Sequence, residues 1–132
     1  MIIIYTAPSC TSCRKAKEWL DNFDIPYIER NLAKESLSML ELQKILMMTD
    51  DGTQEIISQR SNAFRDLQIN IEEISISELF HVLQDNIGLL RRPIMIDNKR
   101  IQIGYNEDEI RRFVPRKLRK LEMHYARMKA GI

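Results

Sequence analysis

The first element of the chain is predicted from a run of β-branched and aromatic residues, Ile2 to Thr6, that shows no polar alternation. Such a run is typical of a strand that is buried on both faces. After a break at residues 7–9, apolar residues recur at three- and four-residue steps from Thr11 to about Phe23, and this spacing predicts a helix. Tyr27 to Glu29 then resumes a short strand. A strand, a helix and a strand in this order form a right-handed crossover, which makes the two strands parallel.

The middle of the chain, from about residue 35 to residue 85, is predicted to be a helical insertion. Apolar spacing indicates one helix from Ser38 to Met48 and a second from Ser75 or Ser77 to Gln84. A polar turn that contains Gly52 follows the first of these helices. The pattern from residue 54 to residue 66 fixes no element, although three apolar side chains there are expected to be buried: Ile56, Ile57 and Phe64.

The last third of the chain returns to short strands. Ile94 to Ile96 and Arg100 to Ile103 are predicted to form a hairpin, because the residues between them favour a turn. Asn106 is expected to cap a further helix, whose acidic first turn and basic last turn suit the helix dipole. Pro115 then marks a boundary before a basic terminal helix. Together these elements predict an α/β fold with a mixed sheet flanked by helices.

Composition places these elements in one domain, residues 1–132. Of the 132 residues 44% are hydrophobic, and a chain of this size matches the usual domain of roughly 100–150 residues. The formal net charge of +1 argues against a polybasic binder of nucleic acid or of membranes. No apolar run approaches the ~20 residues that cross a bilayer, and no secretory signal pattern opens the sequence. We therefore expect a monomeric cytoplasmic protein.

The two cysteines, Cys10 and Cys13, lie one helical turn apart at the start of the first predicted helix. Unpaired N–H groups and the positive dipole end favour a thiolate there, so Cys10 is expected to be the reactive thiol. A bridge between the two costs little chain entropy. The alternatives are two buried cysteines without redox chemistry, or half of a metal site, for which His81 and His124 are isolated. The spacing favours a dithiol/disulfide pair, and no metal or other cofactor is predicted.

Four stretches carry a resemblance that goes beyond the cysteine pair: YTAPSCTSCRKAKEWL from Tyr5, MTDDGTQEIISQR from Met48, GLLRRPIMID from Gly88 and GYNEDEIRRFVPRK from Gly104. Over nearly its whole length the chain resembles the Spx family of redox-responsive bacterial transcription regulators. That family belongs to the arsenate reductase-related branch of thioredoxin-like folds, which agrees with the predicted order of strands and helices.

The resemblance implies a global regulator, not an enzyme, that binds the C-terminal domain of the RNA polymerase α subunit. Oxidation of the pair matching Cys10 and Cys13 then activates thiol-homeostasis genes, and the polymerase contact interferes with some activators. Gly52 matches the family glycine at the polymerase contact, and Arg92 matches an arginine close to the dithiol. Pro93 occupies a region in which thioredoxin-like folds typically hold a cis proline beside the cysteines.

The two residues carried over from the family also have simpler interpretations. Gly52 follows two aspartates in a turn, so it can serve to supply a positive φ angle. An arginine near a thiolate lowers its pKa and can bind an oxyanion, but Arg92 can equally be a solvated side chain. The adjacent Arg91 is expected to be the solvated arginine of the two.

The C-terminal end is basic, with eight basic residues and one acid from residue 111 to residue 132, hence +7 against −6 for residues 1–110. A solvated helix face accounts for this charge, and contact with promoter DNA is expected only within a polymerase complex. The resemblance also implies a Clp-type protease and its adaptor as partners at this end. The final residues, Met128 to Ile132, depart from the family's apolar-Ala-Asn ending.

The rival hypothesis is an enzyme, an arsenate reductase-like or glutaredoxin-like thiol oxidoreductase, which the same fold and dithiol would support. The centre Cys-Thr-Ser-Cys lacks the interior Gly-Pro or Pro-Tyr of thioredoxins and glutaredoxins, which favours the regulator. A third hypothesis is a paralogue whose partner contact is independent of redox state.

Overall fold

A mixed sheet of four strands forms the centre of the computed structural model, which describes residues 1–59, 61–68, 70–115 and 128. The strands are β1 Ile2–Thr6, β2 Tyr27–Asn31, β3 Ile94–Ile96 and β4 Ile101–Ile103. The α-helices of the described residues are α1 Thr11–Asn22, α2 Met39–Met48, α3 Thr53–Ile56, α4 Asn62–Leu67 and α5 Ile76–Asp85. Two 3-10 helices, Ile87–Leu89 and Glu109–Phe113, complete the elements of this part of the chain.

The sheet has the strand order β2-β1-β3-β4, so β1 is paired on both sides. β1 is parallel to β2, with Ile4 opposite Glu29, and antiparallel to β3, with Ile4 opposite Met95. β3 and β4 form the predicted antiparallel hairpin, and β4 is left at the edge. The predicted parallel crossover through α1 is therefore confirmed.

Successive side chains of the strands point to opposite faces of the sheet and build two apolar clusters. The cluster on the α1 face contains Ile2, Ile4, Ala16, Leu20, Met95, Ile110 and Phe113. The cluster on the other face joins the sheet to the helical insertion and contains Tyr5, Leu42, Ile45, Ile56, Ile57, Leu79, Leu83, Ile94 and Ile96. Helices thus cover both faces of the sheet, which confirms the predicted α/β class with a helical insertion.

In one stretch of the insertion the structure contains helices that the sequence pattern does not predict. Residues 54–66, for which the pattern fixes no element, contain most of α3 and α4, helices too short to show a periodicity. Ile56 and Ile57 are buried as predicted, and Phe64 is half-buried. The longer helices α2 and α5 lie where predicted, because Ser38 and Ser75 cap their N-termini.

The element after Asn106 is the 3-10 helix Glu109–Phe113 and not the predicted longer helix. Its N-cap residue is Asp108, without a side-chain cap, while Asn106 Oδ1 accepts hydrogen bonds from the N–H groups of Asp108 and Glu109 in the turn that leads into it. The basic terminal helix predicted beyond Pro115 falls on residues that, apart from Met128, lie outside the described ones. Within the described ranges no helix is both long and apolar enough to cross a membrane.

A half-buried ion pair fixes α2 to the sheet. Arg30 of β2 donates two hydrogen bonds to the Glu41 carboxylate, from Nη2 to Oε1 at 2.7 Å and from Nε to Oε2 at 3.0 Å. Glu41 also accepts from the N–H of Ser38 and so closes a capping box. Burial raises the pKa of Glu41, but hydrogen bonds from Arg30, Ser38 and Tyr5 outweigh this effect and lower the pKa from 4.5 to about 2.

We expect Glu41→Gln to lower the free energy of unfolding at pH 7 by about 2 kcal/mol, because the Arg30 guanidinium loses the less exposed of its two carboxylate partners. The pKa of Glu41 is lower in the folded than in the unfolded state, so its stabilisation is complete above pH 4.5 and is lost as the pH falls toward about 2. Urea denaturation at pH 7 and at pH 3 should show the difference between wild type and variant shrinking at the lower pH.

Glu35→Gln is the matched control for this experiment. Glu35 pairs with the same arginine at 3.0 Å, but its side chain is 78% exposed, so its loss should cost little. Equal destabilisation by the two substitutions would contradict the special role of Glu41.

Candidate functional site

Cys10 and Cys13 form a disulfide at the N-terminus of α1. Cys10 is the N-cap residue, and its Sγ accepts a hydrogen bond from the backbone N–H of Cys13 at 3.2 Å. The two Cα atoms lie 5.2 Å apart, within the usual range for a disulfide. Cys13 is only 2% exposed, whereas Cys10 is half-buried. Cys10 is therefore the sulfur that solvent and reagents reach.

Glu29 of β2 bonds to the two elements that flank the loop before Cys10, namely the end of β1 and α1. The buried Thr6 hydroxyl donates to Glu29 Oε2 at 2.7 Å, and Lys17 Nζ of α1 donates to the same oxygen at 3.0 Å. The Thr6 and Lys17 hydrogen bonds lower the pKa of Glu29 and outweigh the effect of burial. Ser9 adopts φ of 56°, in the left-handed region, which costs a non-glycine residue about 1 kcal/mol. The two elements on either side of the cysteine loop are thus fixed to the same carboxylate of β2.

An open pocket of about 270 Å³ lies beside the disulfide; it is lined by Cys10, Ser58, Gly88, Leu90, Arg91, Arg92 and Gly104. The Arg92–Pro93 peptide bond is cis, as the resemblance implies, and Pro93 is buried. The Arg92 guanidinium has no hydrogen-bond or ion-pair partner among the described residues. The structure therefore brings two of the predicted site residues, Cys10 and Arg92, to one pocket.

Arg91 is not the simple solvated arginine that the sequence predicts. Its side chain is exposed, yet its Nη1 donates to the Glu55 carbonyl at 3.1 Å and its backbone N–H donates to the Ile56 carbonyl at 2.8 Å. Nearby, the Ser58 N–H donates to the Leu89 carbonyl at 2.7 Å. Arg91 therefore fastens the segment before β3 to α3.

Gly52 is the N-cap residue of α3, with φ of 73° and ψ of −135°, a region that residues with a Cβ atom rarely occupy. Its N–H donates to Thr49 Oγ1 and its carbonyl accepts from the Glu55 N–H, each at 3.0 Å. The expected positive φ is thus confirmed. A Cβ atom at Gly52 would meet nothing within 4 Å and would point to open space. Gly52 does not line the dithiol pocket, but Arg91, which does, donates to Glu55 of the helix that begins after Gly52.

The sequence does not predict that Ser58 lines the dithiol pocket or that Arg91 bonds to α3. Arg91 and Glu55 are 36 residues apart, and no local pattern marks a contact across such a distance. The one signal available is the predicted burial of Ile56 and Ile57, which implies that this stretch packs against the rest of the protein.

In the part of the chain that the structure describes, no group of three or more His, Cys, Asp or Glu side chains is arranged to bind a metal ion. His81 is exposed on α5 and lies beside Phe80, with ring centroids 5.8 Å apart. His124 lies outside the described residues. In this structure the two cysteine sulfurs bond to each other.

Comparison with known proteins agrees with the family resemblance. Residues 5–113 match the ArsC family. The chain is 54% identical over 132 residues to a protein of Enterococcus faecalis named Global transcriptional regulator Spx, with 100% of both chains covered. Proteins of the same name from Staphylococcus aureus and Staphylococcus epidermidis are 56% and 55% identical over 126 residues, with 96% of each chain covered. The chain belongs to the ArsC family and, within it, to the Spx group of transcriptional regulators.

Solved structures of related proteins confirm the fold. A putative ArsC family related protein from Bacteroides fragilis superposes with a TM-score of 0.72 at 19% identity, covering 85% of this chain and 96% of that one. Arsenate reductase from Vibrio cholerae gives a TM-score of 0.71 at 20% identity with the same coverage. The predicted thioredoxin-like, arsenate reductase-related architecture is therefore confirmed, and at these identities the likeness concerns the fold alone.

After reduction, we expect iodoacetamide to alkylate Cys10 at least about tenfold faster than Cys13, because the Cys13 side chain is buried. Mass spectrometry of the peptides over a time course at pH 7 measures the two rates separately. The Cys10→Ser variant gives the rate of Cys13 alone. Comparable rates for the two thiols in the wild type would contradict the assignment of Cys10 as the accessible sulfur.

Proposed function

We propose that this regulator binds the C-terminal domain of the RNA polymerase α subunit and that the Cys10–Cys13 pair controls its activity. In this proposal the whole chain acts as one cytoplasmic domain, as a monomer and without catalytic turnover. The observation that carries it is the disulfide, which closes at an accessible helix start and shares a pocket with Arg92, a cation without a partner among the described residues. The high identity to regulators named Spx supports the transcriptional role.

The proposed switch is a two-electron oxidation of the dithiol. The Cys10 thiolate attacks a peroxide oxygen, which breaks the O–O bond and leaves a sulfenic acid on Cys10. The Cys13 thiolate then attacks the Cys10 sulfur and displaces hydroxide, which leaves as water. The two thiols lose two electrons and two protons, and the peroxide is reduced. Arg92 favours the first step because a nearby positive charge stabilises the thiolate.

Hydrogen bonds between the segment that lines the disulfide pocket and α3 support communication between the disulfide and Gly52. Oxidation removes the thiolate charge that faces Arg92 in the pocket. The neighbouring Arg91 is bonded to the carbonyl groups of Glu55 and Ile56 in α3, and Gly52 is the N-cap of that helix. We infer that a shift of the segment before β3 is passed to the Gly52 turn. The two redox forms must differ in affinity for the partner, because only such a difference shifts a population.

The surface next to Gly52 suits a protein contact. Leu40 and Met47 of α2 are 77% and 85% exposed, and their separation by seven residues places them on one face of the helix. Asp50 and Asp51, which follow the C-terminus of α2, are exposed as well. An apolar centre with a charged rim is typical of protein interfaces, and the negative rim favours a basic partner surface.

Contacts with promoter DNA and with a Clp-type protease and its adaptor remain predictions. The basic residues beyond Pro115 would contact promoter DNA only once polymerase holds the protein at the promoter, and residues 116–127 lie outside the described ones. Recognition of the C-terminal end by a Clp-type protease and its adaptor concerns residues that, apart from Met128, are likewise outside the described ranges.

We expect the disulfide form to bind the isolated α C-terminal domain at least about tenfold more tightly than the dithiol form, a difference of about 1.4 kcal/mol. Isothermal titration calorimetry of the disulfide, the dithiol and the Cys10→Ser variant measures the three affinities. The serine variant should behave like the dithiol under oxidising and reducing conditions alike. Arg92→Ala, which keeps both sulfurs, should slow the peroxide oxidation that produces the tight-binding form.

Absence of binding in all forms would overturn the direct contact with polymerase. Equal affinity of the three forms would overturn control at the binding step. Thiol-dependent reduction of arsenate faster than about 1 s⁻¹ would instead support the oxidoreductase alternative.

Gly52→Arg is expected to abolish this binding, whereas Gly52→Ala should keep it within about tenfold of the wild type. Both substitutions force a Cβ atom into the glycine-favouring conformation, at a cost of about 1–2 kcal/mol in stability. Only the arginine adds bulk and charge to the open space in front of the turn. Thermal unfolding should therefore show similar losses for the two variants, while calorimetry separates them. Equal weakening of binding by both would mean that Gly52 acts through the conformation of the turn alone.

A further inference from the structure

The outer edge of β4 has no strand paired to it in the described part of the chain. The hydrogen bonds from the Gly104 N–H to the Pro93 carbonyl and from the Asp97 N–H to the Arg100 carbonyl fix the pattern of the hairpin. In an antiparallel ladder, bonded pairs alternate with unbonded ones, so Ile94–Ile103 and Ile96–Ile101 are the unbonded pairs. The backbone N–H and carbonyl groups of Ile101 and Ile103 therefore point away from the sheet.

Arg112 covers only part of this edge. Its Nη1 donates to the Ile101 carbonyl at 3.0 Å, in agreement with the outward direction of that group. Among the described residues, the N–H and carbonyl of Ile103 have no hydrogen-bond partner. The Ile103 N–H and carbonyl can thus form hydrogen bonds with the carbonyl and N–H of one residue of an added antiparallel strand.

A groove of about 560 Å³ runs along the same edge. One side is apolar, because Ile101, Ile103 and Met48 all line it and all pack on the cluster that joins the sheet to the insertion. The other side carries Arg112, which pairs with Glu109 at 3.9 Å. At the hairpin end lies Lys99, which is exposed and has no side-chain partner among the described residues.

The charge of the groove favours an acidic occupant. Four cations line it, Arg91, Lys99, Arg100 and Arg112, against three carboxylates, Asp50, Glu55 and Glu109. A second copy of this chain would place its own excess of cations against those of the first copy. Its Arg112 side chain would also cover the same part of the β4 edge, so a second copy suits this groove poorly. An extended segment with alternating apolar and acidic side chains would face the apolar side with one set and the cations with the other.

We propose that the β4 edge binds an extended segment of a partner polypeptide as a fifth strand, through the backbone of Ile103, and that this segment alternates apolar with acidic residues. The site lies on a different edge of the molecule from the dithiol pocket, with Arg91 as the lining residue common to both. The groove also shares Asp50 with the surface proposed above for the polymerase contact.

The probe for this site is an acetylated and amidated heptapeptide in which valine and glutamate alternate. Titration into the ¹⁵N-labelled full chain should shift the amide signals of Ile101, Ile103 and Gly104. At saturation, exchange of the Ile103 amide hydrogen should slow at least about tenfold, because it becomes bonded. A peptide with the same side chains but N-methyl groups on alternate amides should not bind, and an alternating valine–lysine peptide should bind more weakly.

Lys99→Glu should lower the affinity for the valine–glutamate peptide several-fold. Lys15→Glu makes an equal change of charge at an exposed site on α1 and should have little effect on this affinity. No signal shift at millimolar peptide, or shifts confined to the Cys10 pocket, would overturn the proposal. Equal binding of the N-methylated peptide would rule out strand pairing. Protection of Ile103 that rises with protein concentration in the absence of peptide would identify a second copy as the occupant and overturn the assignment to a partner.

Discussion

The hydrogen bonds that join residues 55–58 to residues 89–91 are the constraint on which the rest of the site depends. They tie the helical insertion, through Glu55 and Ile56, to the segment that enters the central sheet at β3. Because α3 has only four residues, it has little stability of its own and is held by this contact. The bonds therefore position α3 with the Gly52 turn at its start, and they place Ser58 beside the dithiol pocket.

Much of the fold could be predicted from sequence because its elements are locally encoded. β1 is a continuous apolar run, and α2 and α5 begin at serine caps, so their positions follow from residues within a few places of each other. The short helices α3 and α4 escape such reasoning, since four to six residues do not establish a period. Asn106 signals the turn before the next helical element, but not that this element is a 3-10 helix with Asp108 at its N-cap, because an Asx turn can precede either kind of helix.

The candidate site was predictable to different degrees. The pairing of Cys10 with Cys13 follows from their spacing at a helix start, whereas the place of Arg92 in the same pocket came from the family resemblance. The bond from Arg91 to Glu55 spans 36 residues and had no signal in the sequence. The outward direction of the Ile103 N–H and carbonyl groups also has no signal in the sequence, because it depends on the register of the hairpin and not on the identity of the side chain.

The sulfur of Cys10 has two separate tasks, since it forms the disulfide and also caps α1 by accepting the Cys13 N–H. A serine at this position would keep the second task, because a hydroxyl is among the preferred N-cap acceptors. An alanine would remove both and leave the helix start uncapped, at a cost of about 1 kcal/mol. Serine is therefore the replacement that isolates oxidation chemistry from helix stability, and a phenotype seen with alanine would mix the two.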